Sequence, residues 1–147
     1  MPEKIELDEG MAETLRVALD LDQFYPVLSA EKAARLFPQS ALFVYSKGET
    51  VVTQGEDSQD IYIIQTGGVS VSQTLGTAAA HLAMLGPGEM FGEMAILRTG
   101  KRSATVLADE TSRIYRLSLQ DLKRIMSMDD KLAKHLTELA EKRLAGG

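Results

Sequence analysis

FGEMAILRTGKRSATV, residues 91–106, places a carboxylate, Glu93, and a guanidinium, Arg102, near the two ends of an apolar and small-residue segment punctuated by Gly92 and Gly100. A core strand or core helix accommodates neither the charges nor the glycines. The stretch makes sense if Phe91 ends a strand and Gly92 opens one short helix, EMAIL. The N–H groups of that first turn then lack helical partners and form an anion site. Gly92 lets the chain turn and lets a ligand approach the backbone. Glu93, at the helix start, can accept hydrogen bonds from neutral hydroxyls. Arg102 returns on the next strand, where its planar fork suits a phosphate better than a lysine would. Ser103 and Ala104 are small and leave room beside it.

Outward from this stretch the chain divides into a helical start (1–40), a glycine-punctuated middle (41–117) and a helical end (118–147). The middle carries short β-favouring runs, LFVY, TVVT, IYII, VSVS, HLAML, ATVLA and RIYRL, separated by Gly, Asp, Ser or Thr. Seven or eight strands at this spacing predict a mainly β fold with flanking helices, a jelly-roll sandwich or barrel. IYII is apolar throughout, as a strand buried on both sides would be. TLGTAAA (74–80) reads as a hairpin tip. At the start, residues 11–24 have helical spacing until Pro26, and Ser29 caps a second helix through Leu36, stopped by Pro38. At the end, Ser118 with Asp121 resembles a capping box opening LQDLKRIM. DDKLAKHLTELAEKRLA forms the last helix, with acids first and Lys142 and Arg143 last, as the macrodipole prefers. Leu132, Leu136, Leu139 and Arg143 share one face of it, which serves as packing, a dimer seam or a lid.

The totals bound the function. At 147 residues, 44% hydrophobic and 25% charged, the chain fits one globular domain. No apolar run is long enough to span a bilayer, and MPEKIELDEG lacks a signal-peptide layout. Without cysteine there is no disulfide and no thiolate zinc site. This fits a reducing, cytoplasmic setting. A formal charge of −5 argues against broad nucleic-acid binding, though not against one small phosphate ligand.

The central stretch resembles the phosphate-binding cassette of the cyclic nucleotide-binding domain family, roughly FGE-x-A followed after a short variable run by R-(S/T/A)-A. KGETVVTQGEDSQDIYIIQTGGVSV and LGPGEMFGE resemble the segments that precede it in that family, so the likeness covers residues 36–127. It implies a β-roll with N-terminal helices and two C-terminal hinge and lid helices. It further implies that Glu93 binds the ribose 2′-hydroxyl and Arg102 the exocyclic phosphate oxygens. The amides of Met94 and Ala95, beside Phe91 and Gly92, would complete the phosphate cradle. Val69 and Val71 would line the base pocket. Lys101 stands where many members have proline. Ser103 follows the arginine and does not choose the base. Leu136, Leu139 and Arg143 are the lid candidates.

The function implied is a non-enzymatic regulatory sensor, with cyclic AMP ahead of cyclic GMP as ligand, neither metal nor cofactor, and an effector protein as partner. A homodimer is compatible with the leucine stripe. The rival readings are an interaction module of the same fold that binds no nucleotide and, last, a phosphodiester hydrolase. The cassette supplies that hydrolase with neither metal ligands nor a general base. Too few residues follow Leu117 for a helix-turn-helix domain, so the output falls to a separate partner or the chain is part of something longer.

Overall fold

The computed structural model describes residues 2–98 and 100–146; Thr99, inside the opening stretch, and the two terminal residues lie outside the described residues. Strand β1 (Glu3–Ile5) precedes helices α1 (Glu9–Ala18) and α2 (Ala30–Leu36). The β region contains β2 (Ala41–Tyr45), β3 (Thr50–Val52), β4 (Ile61–Thr66), β5 (Val69–Leu75), β6 (Ala78–Leu85), β7 (Met90–Phe91), β8 (Thr105–Ala108) and β9 (Ser112–Leu117). A one-turn 3-10 helix, Glu93–Ile96, interrupts it where EMAIL predicts a short helix. Helices α3 (Leu119–Met128) and α4 (Asp130–Gly146) follow. The strands form two antiparallel sheets, β1-β2-β9-β4-β7 and β3-β8-β5-β6. Both sheets keep free edges, so the expected jelly roll is a two-sheet roll and not a closed barrel.

The two faces of the first sheet bury two different cores. Ile61 and Ile63 on β4, with Leu42, Tyr115 and Leu117, pack against α1–α4 through Leu15, Ala33, Leu122, Leu132 and Leu136. Tyr62 and Ile64, with Tyr45 and Ile114, face the second sheet and meet Val52, Val69, Val106 and Ala108. The alternation of a strand sends successive side chains to opposite faces. IYII is therefore apolar at every position because both faces are covered.

Local chemistry sets the helix boundaries. Asp8 caps α1, its Oδ1 accepting the Met11 N–H at 2.7 Å. The helix is shorter than the 11–24 pattern suggests. It closes at Leu19 with the paired bonds of a Schellman ending, Leu21 N–H to the Arg16 carbonyl (2.9 Å) and Asp20 N–H to that of Val17 (3.1 Å). Asp20 sits at φ +50° where glycine is usual, so the sequence carries no stop signal there. Strand β1 also lacks a readable pattern within the expected helical start. It exists because it pairs with β2, setting Ile5 opposite Leu42. Ser29 caps α2 as expected, accepting the Lys32 N–H at 3.0 Å.

Ser118 caps α3 through the Asp121 N–H (3.3 Å), but the reciprocal half of the expected capping box is absent. The Asp121 carboxylate is fully buried and instead accepts the Gln39 N–H and the Ser40 hydroxyl, both at 2.8 Å. Arg124, one turn on, donates to Asp121 and to the Leu36 carbonyl at the end of α2. The start of α3 is thus tied to the segment that follows α2.

The hairpin tip narrows to Gly76 and Thr77, with the flanking residues of TLGTAAA in β5 and β6. Val71 faces Ala83 and Ser72 faces His81, which leaves Leu82 as an extra residue, a β-bulge in an edge strand. No Asp, Glu, Lys or Arg occurs between Asp60 and Glu89. No helix among the described residues is long and apolar enough to cross a membrane.

Two outcomes test this account. Asp121→Ala leaves two inward-facing donors without an acceptor, and the unfolding free energy should fall by about 2–4 kcal/mol; an unchanged chemical-denaturation midpoint contradicts the network. Asp8 is held below its ordinary 3.8, first by the Met11 N–H and then by Arg113, against the opposing effect of burial. A depressed folded-state carboxyl gives stability that is complete above the unfolded value and lost as pH falls through the folded one. Asp8→Asn keeps a cap but loses the charge, so its stability should decline less than that of the wild type on acidification through the carboxylate range.

Candidate functional site

Between the second sheet and the one-turn helix lies a cavity of about 240 Å³. Val52, Val71 and Val106 form its apolar floor, one residue from each of three adjacent strands in register: Val52 faces Val106, and Val106 faces Val71. Phe91, Gly92, Met94 and Ala95 form one wall; Arg98, Lys101, Arg102, Ser103 and Ala104 form another. One end of the cavity is cationic and the floor is apolar, the polarity that an anion joined to a flat apolar ring requires.

Arg102 is fixed by its backbone and its side chain. Its N–H donates to the Glu56 carbonyl and its carbonyl accepts the Gly55 N–H, both at 2.8 Å. Nη2 donates to the Asp60 carbonyl at 2.6 Å and Nε to the Ser58 hydroxyl at 3.2 Å. The guanidinium lies 5.8 Å from the centre of the Tyr62 ring, which itself stacks on Phe91 at 5.1 Å. Lys101 pairs with Asp57 at 3.0 Å at the exposed rim. Ser103 is exposed, and its carbonyl accepts from the Gln73 side chain at 3.0 Å.

Gly92 is required by shape. It sits at φ +83°, and a Cβ there would lie 2.7 Å from Arg102 Nη1 and 2.8 Å from the Asp60 carbonyl oxygen. Only glycine lets the chain pass this close to the arginine and enter the one-turn helix. Ile96, on the opposite side of that turn, packs into the helix-side core. The turn therefore has one face on the cavity and the other against the helices.

The structure brings Phe91, Gly92, Met94, Ala95, Arg102, Ser103, Ala104 and Val71 to one cavity and places the other expected residues elsewhere. Val69 is fully buried between the sheets, one repeat deeper than Val71, and does not reach the lining. Ala95 does not offer a free amide: its N–H donates to the Gly92 carbonyl at 3.2 Å, because the turn is 3-10 and not α. Glu93 is turned away from the cavity. Its Oε1 accepts from Arg143 Nε on α4 at 2.7 Å, while Arg143 Nη2 donates to the Met90 carbonyl at 3.1 Å. Leu136 is fully buried and Leu139 packs partly buried beside it, so both serve the core in this structure and neither covers the cavity. Leu132 is buried there too, and the stripe is packing and not an exposed seam. Val52, Val106 and Arg98 line the site without being anticipated. Period-two alternation from Ala104 would have found Val106, whereas Val52 needs the strand register.

A profile of the cyclic nucleotide-binding domain matches residues 42–129, more than half of the chain and all of the cavity. The chain belongs to the cyclic nucleotide-binding domain family. It is similar to the cyclic AMP receptor protein of Thermus thermophilus, 35% identical over 69% of this chain and 47% of that protein. It is also similar to the cAMP-dependent protein kinase regulatory subunit of Mycosarcoma maydis, 33% identical over 71% of this chain and 19% of that one. The chain thus spans less than half the length of these relatives. Among solved structures, the catabolite activator protein of Thermus thermophilus superposes with TM-score 0.71 at 30% identity, covering 88% of this chain and 59% of that one. A cyclic nucleotide-binding domain from Methylobacillus flagellatus reaches 0.77 over 99% and 84% at 19% identity, a likeness of fold alone.

The clash geometry at Gly92 gives a paired test. Gly92→Ala should lose about 1–3 kcal/mol from backbone strain, and more from the two close contacts. Gly48→Ala, at φ +89° with nothing within 4 Å of its Cβ, carries the strain alone. Thermal denaturation should rank Gly92→Ala clearly below Gly48→Ala; equal losses would refute the close approach.

Proposed function

We propose that this cyclic nucleotide-binding domain is a non-enzymatic regulatory sensor for a 3′,5′-cyclic nucleotide, cyclic AMP ahead of cyclic GMP. The observation that carries the reading is the placement of Arg102, with a fork of donors at the cationic end of a valine-floored cavity and Gly92 leaving room beside it. The cyclic phosphate is taken at Arg102 and the Met94 amide, and the sugar hydroxyl by Glu93. The base lies over Val52, Val71 and Val106. The preference for cyclic AMP is supported by the names of the relatives, a cyclic AMP receptor and a cAMP-dependent kinase subunit. No cluster of three or more His, Asp or Glu able to hold a metal ion occurs among the described residues. The phosphate end of the cavity offers arginines and a lysine, which hold an anion but do not activate water at neutral pH.

In this reading the signal is a movement of α4, which packs on the one-turn helix, and an effector protein in the cytoplasm reads it. A ligand shifts such a helix only by as much as it binds one position better than the other, typically about 1–3 kcal/mol.

Calorimetric titration and thermal melting with each nucleotide test the proposal. Ligand at about 100 times its dissociation constant should add about 2.7 kcal/mol and raise the melting temperature by several degrees. Arg102→Leu should weaken binding by about 2 kcal/mol or more. No heat and no shift with either nucleotide would leave an interaction module of this fold, and product formation would indicate an enzyme.

A further inference from the structure

The contact between Glu93 and Arg143 lies outside both hydrophobic cores and is not explained by ligand binding as such. The carboxylate comes from the one-turn helix and the guanidinium from near the end of α4, fifty positions later. The Glu93 side chain is only 14% exposed and that of Arg143 38%, so the pair is partly withdrawn from water. Arg143 is anchored a second time, on the Met90 carbonyl. Glu93 is thereby held out of the cavity that its neighbours Gly92, Met94 and Ala95 line. Both a guanidinium and a hydroxyl make charge-assisted bonds to a carboxylate, but only the guanidinium adds the attraction of its own charge. A neutral sugar hydroxyl arriving at Glu93 meets a stronger donor already in place.

Resting on the proposed function, we propose that Arg143 competes with the ligand's 2′-hydroxyl for Glu93 and thereby sets how sharply the site distinguishes ribose from 2′-deoxyribose cyclic nucleotides. A ribose ligand gains its hydroxyl bond within the cavity only by turning Glu93 away from Arg143, which leaves the end of α4 with the Met90 carbonyl contact alone. A 2′-deoxy ligand leaves the pair intact. The same exchange therefore weakens the preference for ribose and makes loosening of α4 depend on the sugar.

The test is titration of wild type, Arg143→Gln and Glu93→Gln with cyclic AMP and with 2′-deoxy cyclic AMP. Arg143 is exposed and lies outside both cores, so Arg143→Gln should keep the fold, which circular dichroism checks. Cyclic AMP should bind Arg143→Gln about three- to fivefold more tightly than wild type, the range of a partly exposed pair. The deoxy ligand should be unaffected, so that the ribose preference rises by that factor. Glu93→Gln should reduce the preference sharply. The Arg143 Nε–H resonance of the wild type should shift with cyclic AMP and stay in place with the deoxy ligand, a readout that needs no variant.

An unchanged ribose preference in Arg143→Gln would sink the competition. A reduced preference would also overturn it, because Arg143 would then be holding Glu93 for the sugar. Absence of binding by either nucleotide to wild type and variants alike would overturn the sensor reading itself, and is distinguishable from both.

Discussion

Burial of β4 on both faces is the constraint on which the rest of the molecule depends. Ile61 and Ile63 belong to the helix-side core, and Tyr62 and Ile64 to the space between the sheets. A sheet covered on one side only would have let the helices drift relative to the roll. Here one strand supplies consecutive residues to both. Asp60, immediately before it, extends the linkage into polar contacts. Its carbonyl accepts from Arg102, and its carboxylate accepts the Leu119 N–H at the start of α3 at 3.2 Å and lies 3.6 Å from Arg116.

The one-turn helix stands between the same two regions. Its cavity side is made of Gly92, Met94 and Ala95, and its other side places Ile96 among the helices and Glu93 against Arg143. Four residues cannot be repacked on one side without disturbing the other, because interiors are close-packed and yield in discrete steps. The cavity and the last helix therefore share a structural element.

Much of this is legible in the sequence. The β-roll with helical flanks followed from seven short runs and their turn residues. The central stretch revealed its strand and its glycine turn through the oddity of charges and glycines in apolar company, whereas Arg102, expected on the next strand, lies in the irregular segment before β8. Ser29 and Ser118 are caps because side-chain oxygens at helix starts are a local property. What was hidden depends on partners distant in sequence. Strand β1 exists only against β2. Asp121 turns to Gln39 and Ser40, eighty or so positions earlier, and so abandons its local box. Val69 and Val71 are equivalent in sequence, and only the depth of the roll separates core from lining. Asp20 ends α1 in a conformation that glycine would have announced. The neighbours of Glu93 in sequence point it toward a ligand, whereas a cation on α4 holds it the other way.

The bulge at Leu82 matters for how these molecules behave when crowded together. Strand β6 is the outer strand of its sheet, eight residues long, without a formal charge, with Leu82 and Met84 exposed. Other proteins guard such borders with lysines, which tolerate no apolar neighbour alongside. Here the extra residue interrupts the even spacing of amides and carbonyls and increases the local twist. A second copy approaching along that border meets a broken template, so kinked backbone takes over the protection that charge provides elsewhere.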